Sequence, residues 1–483
     1  MNSKNDIIIN NSKYLKKRNI ILPKFSDLSN PSDISEDIKN NLKSIDKDSA
    51  HPLNLFRVHW HNNRNYDKFL DVPEYIVLPK ELTGVDAKII VNIGRLFPLI
   101  AAHKVLPAYA CLIPRIINGD FDYQTHRAVW PSTGNYCRGG VAISKILGCR
   151  SVAVLPEGMS QERFRWLQEW VTDPNDILKT HGTESNVKEI YDACNILEKD
   201  SKNIIINQFK EYNNYAIHRL VTGPSFEQSF LDAKANTNLK PRFYVAASGS
   251  SGTLGAGDYL KDNLGIKIAV VEALECPTLL RNGYGEHNIQ GIGDKHVPLI
   301  HNVMNTDFVV AVSDKATDNL NLVFNTKIGK EYLEKEIGLK KLLVDSLPEF
   351  GFSSIANILA SIKIAKYMNL NKDDAIITVA TDGADLYMSE LEKTKKDFIG
   401  DFNYSSCSNI FKSYINEINT DDMIELTKYD KERIFNLGYY TWVEQQKVSI
   451  DDFEIRKNQG FWDSQLNKLE SLDEEIDKFN NMN

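Results

Sequence analysis

From Trp130 to Gly140 the chain reads WPSTGNYCRGG, and this stretch does most to narrow the folds open to it. A short β-like segment runs into a polar Ser-Thr-Gly-Asn turn. An amphipathic helix pattern follows (Val141, Ile143, Ile146, Leu147), and a second strand, SVAVLP, begins shortly after Gly148. A turn at a helix N-terminus presents backbone N–H groups and small hydroxyls to an anion, at the positive end of the helix dipole. Asn135 tolerates left-handed backbone angles and can hydrogen-bond a ligand oxygen. Taken alone, the tetrapeptide is equally ordinary turn chemistry.

The same alternation extends in both directions. YIVLP and AKIIVNIG read as strands separated by a Thr-Gly turn, and AAHKVLPAYACLIPRI shows helical spacing. Pro107 suits the first turn of that helix, so the helix is expected to start just after Lys104. PEGMSQERFRWLQEW and NVKEIYDACNILEKD are amphipathic helices, and NIIINQF is a strand. Further on, RFYVAA, IKIAVVEA, DFVVAVSD and AIITVATDG are strands, with the apolar helix SSIANILASIKIAKYM before the last. Short apolar strands alternating with helices predict an α/β architecture with a largely parallel sheet.

Residues 1–70 are rich in Asn, Ser, Lys and Asp, and are expected to form an extension wrapping the body or pairing with another subunit. Residues 71–391 form the expected core. Residues 392–483 are charged and helical in pattern, as in a solvated helical extension packed on the body or a partner. His59 and His61 stand at i, i+2 spacing but have no apparent third metal ligand, so no metal site is expected.

A net charge of −8 over 483 residues gives no basic surface for nucleic acid or anionic lipid. No apolar run approaches a membrane span. The six cysteines are scattered with no CxxC pair, which fits reduced thiols in a cytoplasmic protein.

SGSSGTLGAG, after a strand and opening a helix, is a second anion-binding candidate. Gly249 and Gly252 permit close backbone approach, and Ser250, Ser251 and Thr253 add hydroxyls. It has neither the lysine of a P-loop nor the GxGxxG spacing of a dinucleotide fold.

The order of these motifs resembles the fold-type II pyridoxal-phosphate enzymes, and within them the cysteine synthase and cystathionine β-synthase branch. Lys104 in AHKVLPAYA comes first, then STGN, then GSSGT, then a late strand ending in TDG. LPEGMSQER, NQFKEYNNYAIHRLVTGP, EHNIQGIGDKHVP, GFSSIA and DGADLYMSE are similar to further segments of that branch. The resemblance covers about residues 75–391. It implies a two-lobed fold, each lobe a mainly parallel twisted sheet flanked by helices, with a small mobile lobe over about 100–230. It implies pyridoxal 5'-phosphate as cofactor and Lys104 as the Schiff-base lysine. Ser132, Thr133, Gly134 and Gln208 then become substrate contacts. Asn135, Gly249, Ser250, Ser251, Gly252, Thr253, Thr381 and Asp382 become cofactor contacts. A homodimer is also implied.

The implied chemistry is β-replacement or β-elimination on a small amino acid such as serine, O-acetylserine or cysteine, through an aminoacrylate. A serine/threonine dehydratase and a silent cofactor-binding partner subunit are the alternatives. Three departures bear on this choice. Lys104 is approached by RLFPLIAAHK rather than Asn-Pro-x-Gly-Ser, so it is assigned by position. Tyr136, Cys137 and Arg138 follow STGN where the family has Thr-Gly, and Arg138 either meets an acidic substrate group or faces solvent or an ion-pair partner. The family serine near the pyridine nitrogen falls around Asp382 or Gly383; an aspartate there would favour a pyridinium.

Overall fold

The computed structural model describes residues 3–398 and 400–482. Its strands are β1 (Tyr75–Leu78), β2 (Lys88–Ile93), β3 (Arg127–Pro131), β4 (Arg150–Pro156), β5 (Ile177–Thr180) and β6 (Asn203–Ile205). They continue with β7 (Lys240–Ala247), β8 (Lys267–Ala273), β9 (Phe308–Val312), β10 (Asp374–Ala380) and β11 (Met423–Glu425). They form two sheets. One has seven strands in the order β1-β2-β10-β7-β8-β9-β11, and the other has four in the order β5-β4-β3-β6.

The small sheet is parallel throughout. In the large sheet the five central strands are parallel, while β1 and β11 pair antiparallel at the two edges. A parallel strand covered by helices on both faces must be apolar along its whole length. All seven residues of β10 are buried, consistent with its place between β2 and β7.

The sheet order explains where the loops of interest go. In parallel α/β sheets, ligands gather at the carboxyl ends of the strands. The STGN turn follows β3, the glycine-serine loop follows β7, and Thr381 and Asp382 follow β10. Lys104 immediately precedes the helix Val105–Ile117, which matches the start expected from Pro107. Its neighbourhood is tied to the large sheet, because His103 N–H donates to the Thr381 carbonyl and Ala102 bridges Asp382.

Two expectations are corrected, one in the core and one in a flanking segment. The NIIINQF strand is confined to Asn203–Ile205. The stretch after residue 391 is not only solvated helix: β11 completes an edge of the large sheet, and Trp442, Phe453 and Trp462 are buried. Trp462 packs edge-on against Tyr215, and its indole N–H donates to the Arg456 carbonyl. Its spacing within a charged helix disguised it, since one buried face suffices to dock a polar helix.

The first seventy residues bury Leu15, Leu22, Phe25, Leu28, Leu55 and Trp60 in the main core. The two flanking segments also bond to each other. Leu22 N–H donates to Asn480 Oδ1, and Asn480 Nδ2 donates back to the Leu22 carbonyl. The Asp473 carboxylate accepts from the N–H groups of Phe25 and Ser26.

Candidate active site

One cavity collects the loops at the strand ends. Every residue assigned from the sequence to cofactor or substrate contact lines it except Gly134. Gly134 has a different part: its φ is 151°, and a Cβ there would stand 2.8 Å from Nε of Arg163. The glycine lets the STGN turn lie directly on that buried guanidinium.

Two serines in this cavity share one hydrogen-bond logic. Ser250 Oγ accepts from Lys104 Nζ (3.1 Å) and from Asn214 Nδ2 (3.0 Å). Ser132 Oγ accepts from the Gly134 N–H (3.0 Å) and from Gln208 Nε2 (3.2 Å). A hydroxyl has two acceptor positions and one proton. With both acceptor positions taken, each serine has its proton left to donate, and an anion is the natural recipient. Lys104 joins the two halves, since its Nζ also donates to Gln208 Oε1 at 3.4 Å.

The Lys104 side chain keeps some surface in the cavity, but its ammonium is enclosed by protein. Burial pushes its pKa down to about 8, only partly opposed by the acidic groups around it, Asp294 first. No carboxylate lies within ion-pairing distance of it among the described residues. An amine near 8 can carry a proton or release one at physiological pH. His103 beside it is pushed well below the usual histidine range by burial and by Lys104, and is neutral.

The glycine-serine loop is pressed against its neighbours. A Cβ at Gly249 would collide with the backbone carbonyl of Gly291. Ser251 adopts φ 67°, a left-handed conformation uncommon for a serine, with its Oγ 2.7 Å from Ser248 Oγ. The helix Leu254–Leu264 begins directly after the loop. The positive end of that helix dipole therefore lies behind the loop.

On the opposite wall Asp382 is held by side chains from three segments. Its Oδ2 accepts from Asn135 Nδ2 (2.6 Å) and from the Tyr387 hydroxyl (2.8 Å), with Arg163 Nη2 at 3.8 Å. Arg138 is corrected from a solvent-facing alternative. It is buried, stacks 5.0 Å over Trp166, and its Nη1 donates to Asn135 Oδ1 at 3.0 Å. It thus acts on the site through Asn135.

Sequence reasoning missed several groups. Asn214 and Arg163 lie in segments quoted for the resemblance, yet carried no assigned role. Asp294, in GIGDK, and Glu184, between β5 and the helix Val187–Leu197, are buried carboxyls whose oxygens have no hydrogen-bond partner among the described residues. Burial raises Glu184 to about 8, and raises Asp294 well above the carboxylate range. No motif or spacing marked either carboxyl.

These carboxyls allow a stability prediction. Unfolded Glu184 would titrate near the ordinary value of about 4.3. Between that value and about 8 the folded chain holds a proton that the unfolded chain has released, so stability falls as pH rises through the window. Glu184→Gln removes this penalty. It is expected to match the parent near pH 4 and to exceed it by roughly 1–3 kcal/mol at pH 8. Urea melts at both pH values check this; a difference independent of pH would contradict it.

The cavity encloses only about 40 Å³, room for little more than a water, and the hydrogen-bonded pairs Lys104–Ser250 and Asn135–Asp382 both line it. A larger cavity, about 1100 Å³, lies elsewhere, beside Arg115 and Lys447, and contains none of the site residues above.

Comparison with known proteins agrees with this geometry. The family model described as "Pyridoxal-phosphate dependent enzyme" matches residues 97–319. Cysteine synthase B of Campylobacter jejuni is 30% identical over 256 residues, which are 52% of this chain and 75% of that protein. The chain belongs to the pyridoxal-phosphate dependent enzyme family. Among solved structures, the cysteine synthase of Entamoeba histolytica superposes with a TM-score of 0.55 at 21% identity, covering 71% of this chain and 93% of that one. A hydrogen sulfide-producing enzyme of Fusobacterium nucleatum superposes at 0.54 and 20% identity, covering 69% and 99%. The two sheets are those of a fold-type II member.

The family's cofactor, pyridoxal 5'-phosphate, suits the donors present. Lys104 offers an amine of lowered pKa to its aldehyde. The Ser250 proton and the loop N–H groups suit its phosphate, and Asp382 retains one unpartnered buried oxygen, Oδ1.

Proposed function

We propose that this enzyme catalyses β-replacement or β-elimination on a small L-amino acid of the serine, O-acetylserine or cysteine type. The observation that carries the reading is the line Ser250–Lys104–Gln208–Ser132. It sets one amine between two hydroxyls, each with a proton to give. The Ser250 side would hold the cofactor phosphate. The Ser132 side, with Thr133 and Gln208, would hold the substrate carboxylate, and Lys104 between them would take the proton from Cα. Bound pyridoxal phosphate would supply the electron sink that makes that proton labile and lets the β-substituent leave. The printed names of the relatives, cysteine synthase and hydrogen sulfide-producing enzyme, support the same class. All six cysteines are free and buried, in keeping with a cytoplasmic setting, and a homodimer is carried over from the resemblance.

The test is a visible absorption titration of the purified holoenzyme with O-acetylserine, serine and cysteine, each with and without sulfide. One amino acid is expected to shift the cofactor band, and sulfide to restore it. Keto-acid release from serine alone, with O-acetylserine and cysteine unreactive and no need of sulfide, would move the assignment to a dehydratase. A yellow protein indifferent to all three would favour the silent-subunit alternative, and a protein unable to hold the cofactor would overturn the reading.

A further inference from the structure

The setting of Asp382 carries an inference that rests on the cofactor reading and goes beyond it. The residue is 1% exposed and lines the cavity. Its two oxygens are treated differently. Oδ2 is fully engaged by Asn135 and Tyr387, with Arg163 close by. Oδ1 has no donor among the described residues. It lies against Gly351, where a Cβ would collide with it, and Gly351 caps the helix Phe352–Tyr367. A buried carboxylate oxygen with no donor is costly, and such atoms in native proteins generally mark a missing partner.

The surrounding donors also fix the carboxylate's orientation. Arginine can only donate, so Arg138 Nη1 requires the oxygen of the Asn135 amide. That turns the Asn135 NH₂ toward Asp382. Tyr387 is held in turn by the Arg163 guanidinium, whose Nη2 donates to its hydroxyl at 2.9 Å and whose centre lies 4.9 Å from the ring. Asp382 is therefore clamped through one oxygen while the other has no donor, in a residue that lines the cavity. Burial raises its pKa above the ordinary carboxylate value, and Arg163, Tyr387 and Asn135 oppose that shift without cancelling it.

We infer that Asp382 accepts a hydrogen bond from the protonated pyridine nitrogen of the bound cofactor and keeps that ring as a pyridinium. A serine hydroxyl, which the resemblance places around this position, donates to an unprotonated ring nitrogen and leaves it neutral. A carboxylate can only accept, so it requires the proton on the ring. The positive ring is a stronger electron sink, and it extends the enzyme's reach to substrates whose Cα proton is less acidic. Asp382 is thus a specificity-determining residue for this chain.

The experiment is ¹⁵N NMR of the holoenzyme loaded with pyridoxal phosphate labelled at the ring nitrogen, for the parent, Asp382→Asn and Asp382→Ser. Visible absorbance confirms loading in each. The parent is expected at the upfield position of a pyridinium, and both variants at the downfield position of an unprotonated ring. A parent resonance at the unprotonated position, or a pyridinium kept in both variants, overturns the inference and leaves the cofactor reading intact. A parent with no bound resonance overturns both. If neither variant retains cofactor, Tyr387→Phe, which loosens the clamp without removing the carboxylate, serves instead. A parent-like pyridinium shift that moves toward the unprotonated position in Tyr387→Phe supports the inference, and an unmoved one overturns it.

Discussion

Lys104→Ala is expected to lower turnover by at least about 10²–10⁴-fold, the range for removing a positioned proton-transfer group, and to abolish the cofactor's protein-linked absorption band. Burial lowers the amine to about 8. At pH 7 it therefore offers roughly 10²-fold more free base than a lysine of ordinary value. The rate at which cofactor-free protein takes up pyridoxal phosphate should climb as pH rises toward about 8 and level off above it. Alanine has no such dependence. A variant keeping a tenth of parental turnover and an unchanged band would remove Lys104 from the chemistry and point to another amine.

Gly249→Ala is expected to have the second-largest effect. The added methyl meets the backbone carbonyl of Gly291, which is not a flexible side-chain end and cannot swing aside. Overpacking of this kind costs about 1–3 kcal/mol. The displaced loop is the one that carries Ser250 and Ser251. The loss should therefore appear twice, as a lower urea midpoint and as weaker retention of the cofactor on dialysis. A variant less stable but with parental cofactor affinity would show that the loop is a structural turn only.

How far the site could be read in advance depended on whether its parts were local. Ser132, Asn135, Gly249 and Ser250 sit in turns whose composition is fixed by nearby backbone needs, so a short string reveals them. Lys104 had only an apolar neighbourhood and a position relative to the STGN turn, and needed the resemblance. Arg163 was visible as a motif letter, but its contacts with Gln290 and Tyr387 reach across 127 and 224 residues of chain. No periodicity encodes such a contact. Glu184 is harder still, because an acidic residue in a polar loop looks solvated until the fold closes over it. The parallel sheets were legible from their apolar runs, whereas β11 was not: an edge strand of three residues has too little pattern to separate it from loop.

The paired bonds between Leu22 and Asn480 have a consequence for biosynthesis. The partners are 458 residues apart. At about 5–20 residues per second, the ribosome needs roughly 20–90 s to deliver the second after the first. Throughout that interval Leu15, Leu22 and Phe25 have no C-terminal helix to seal them. Refolding from denaturant, where both segments are present from the start, imposes no such wait.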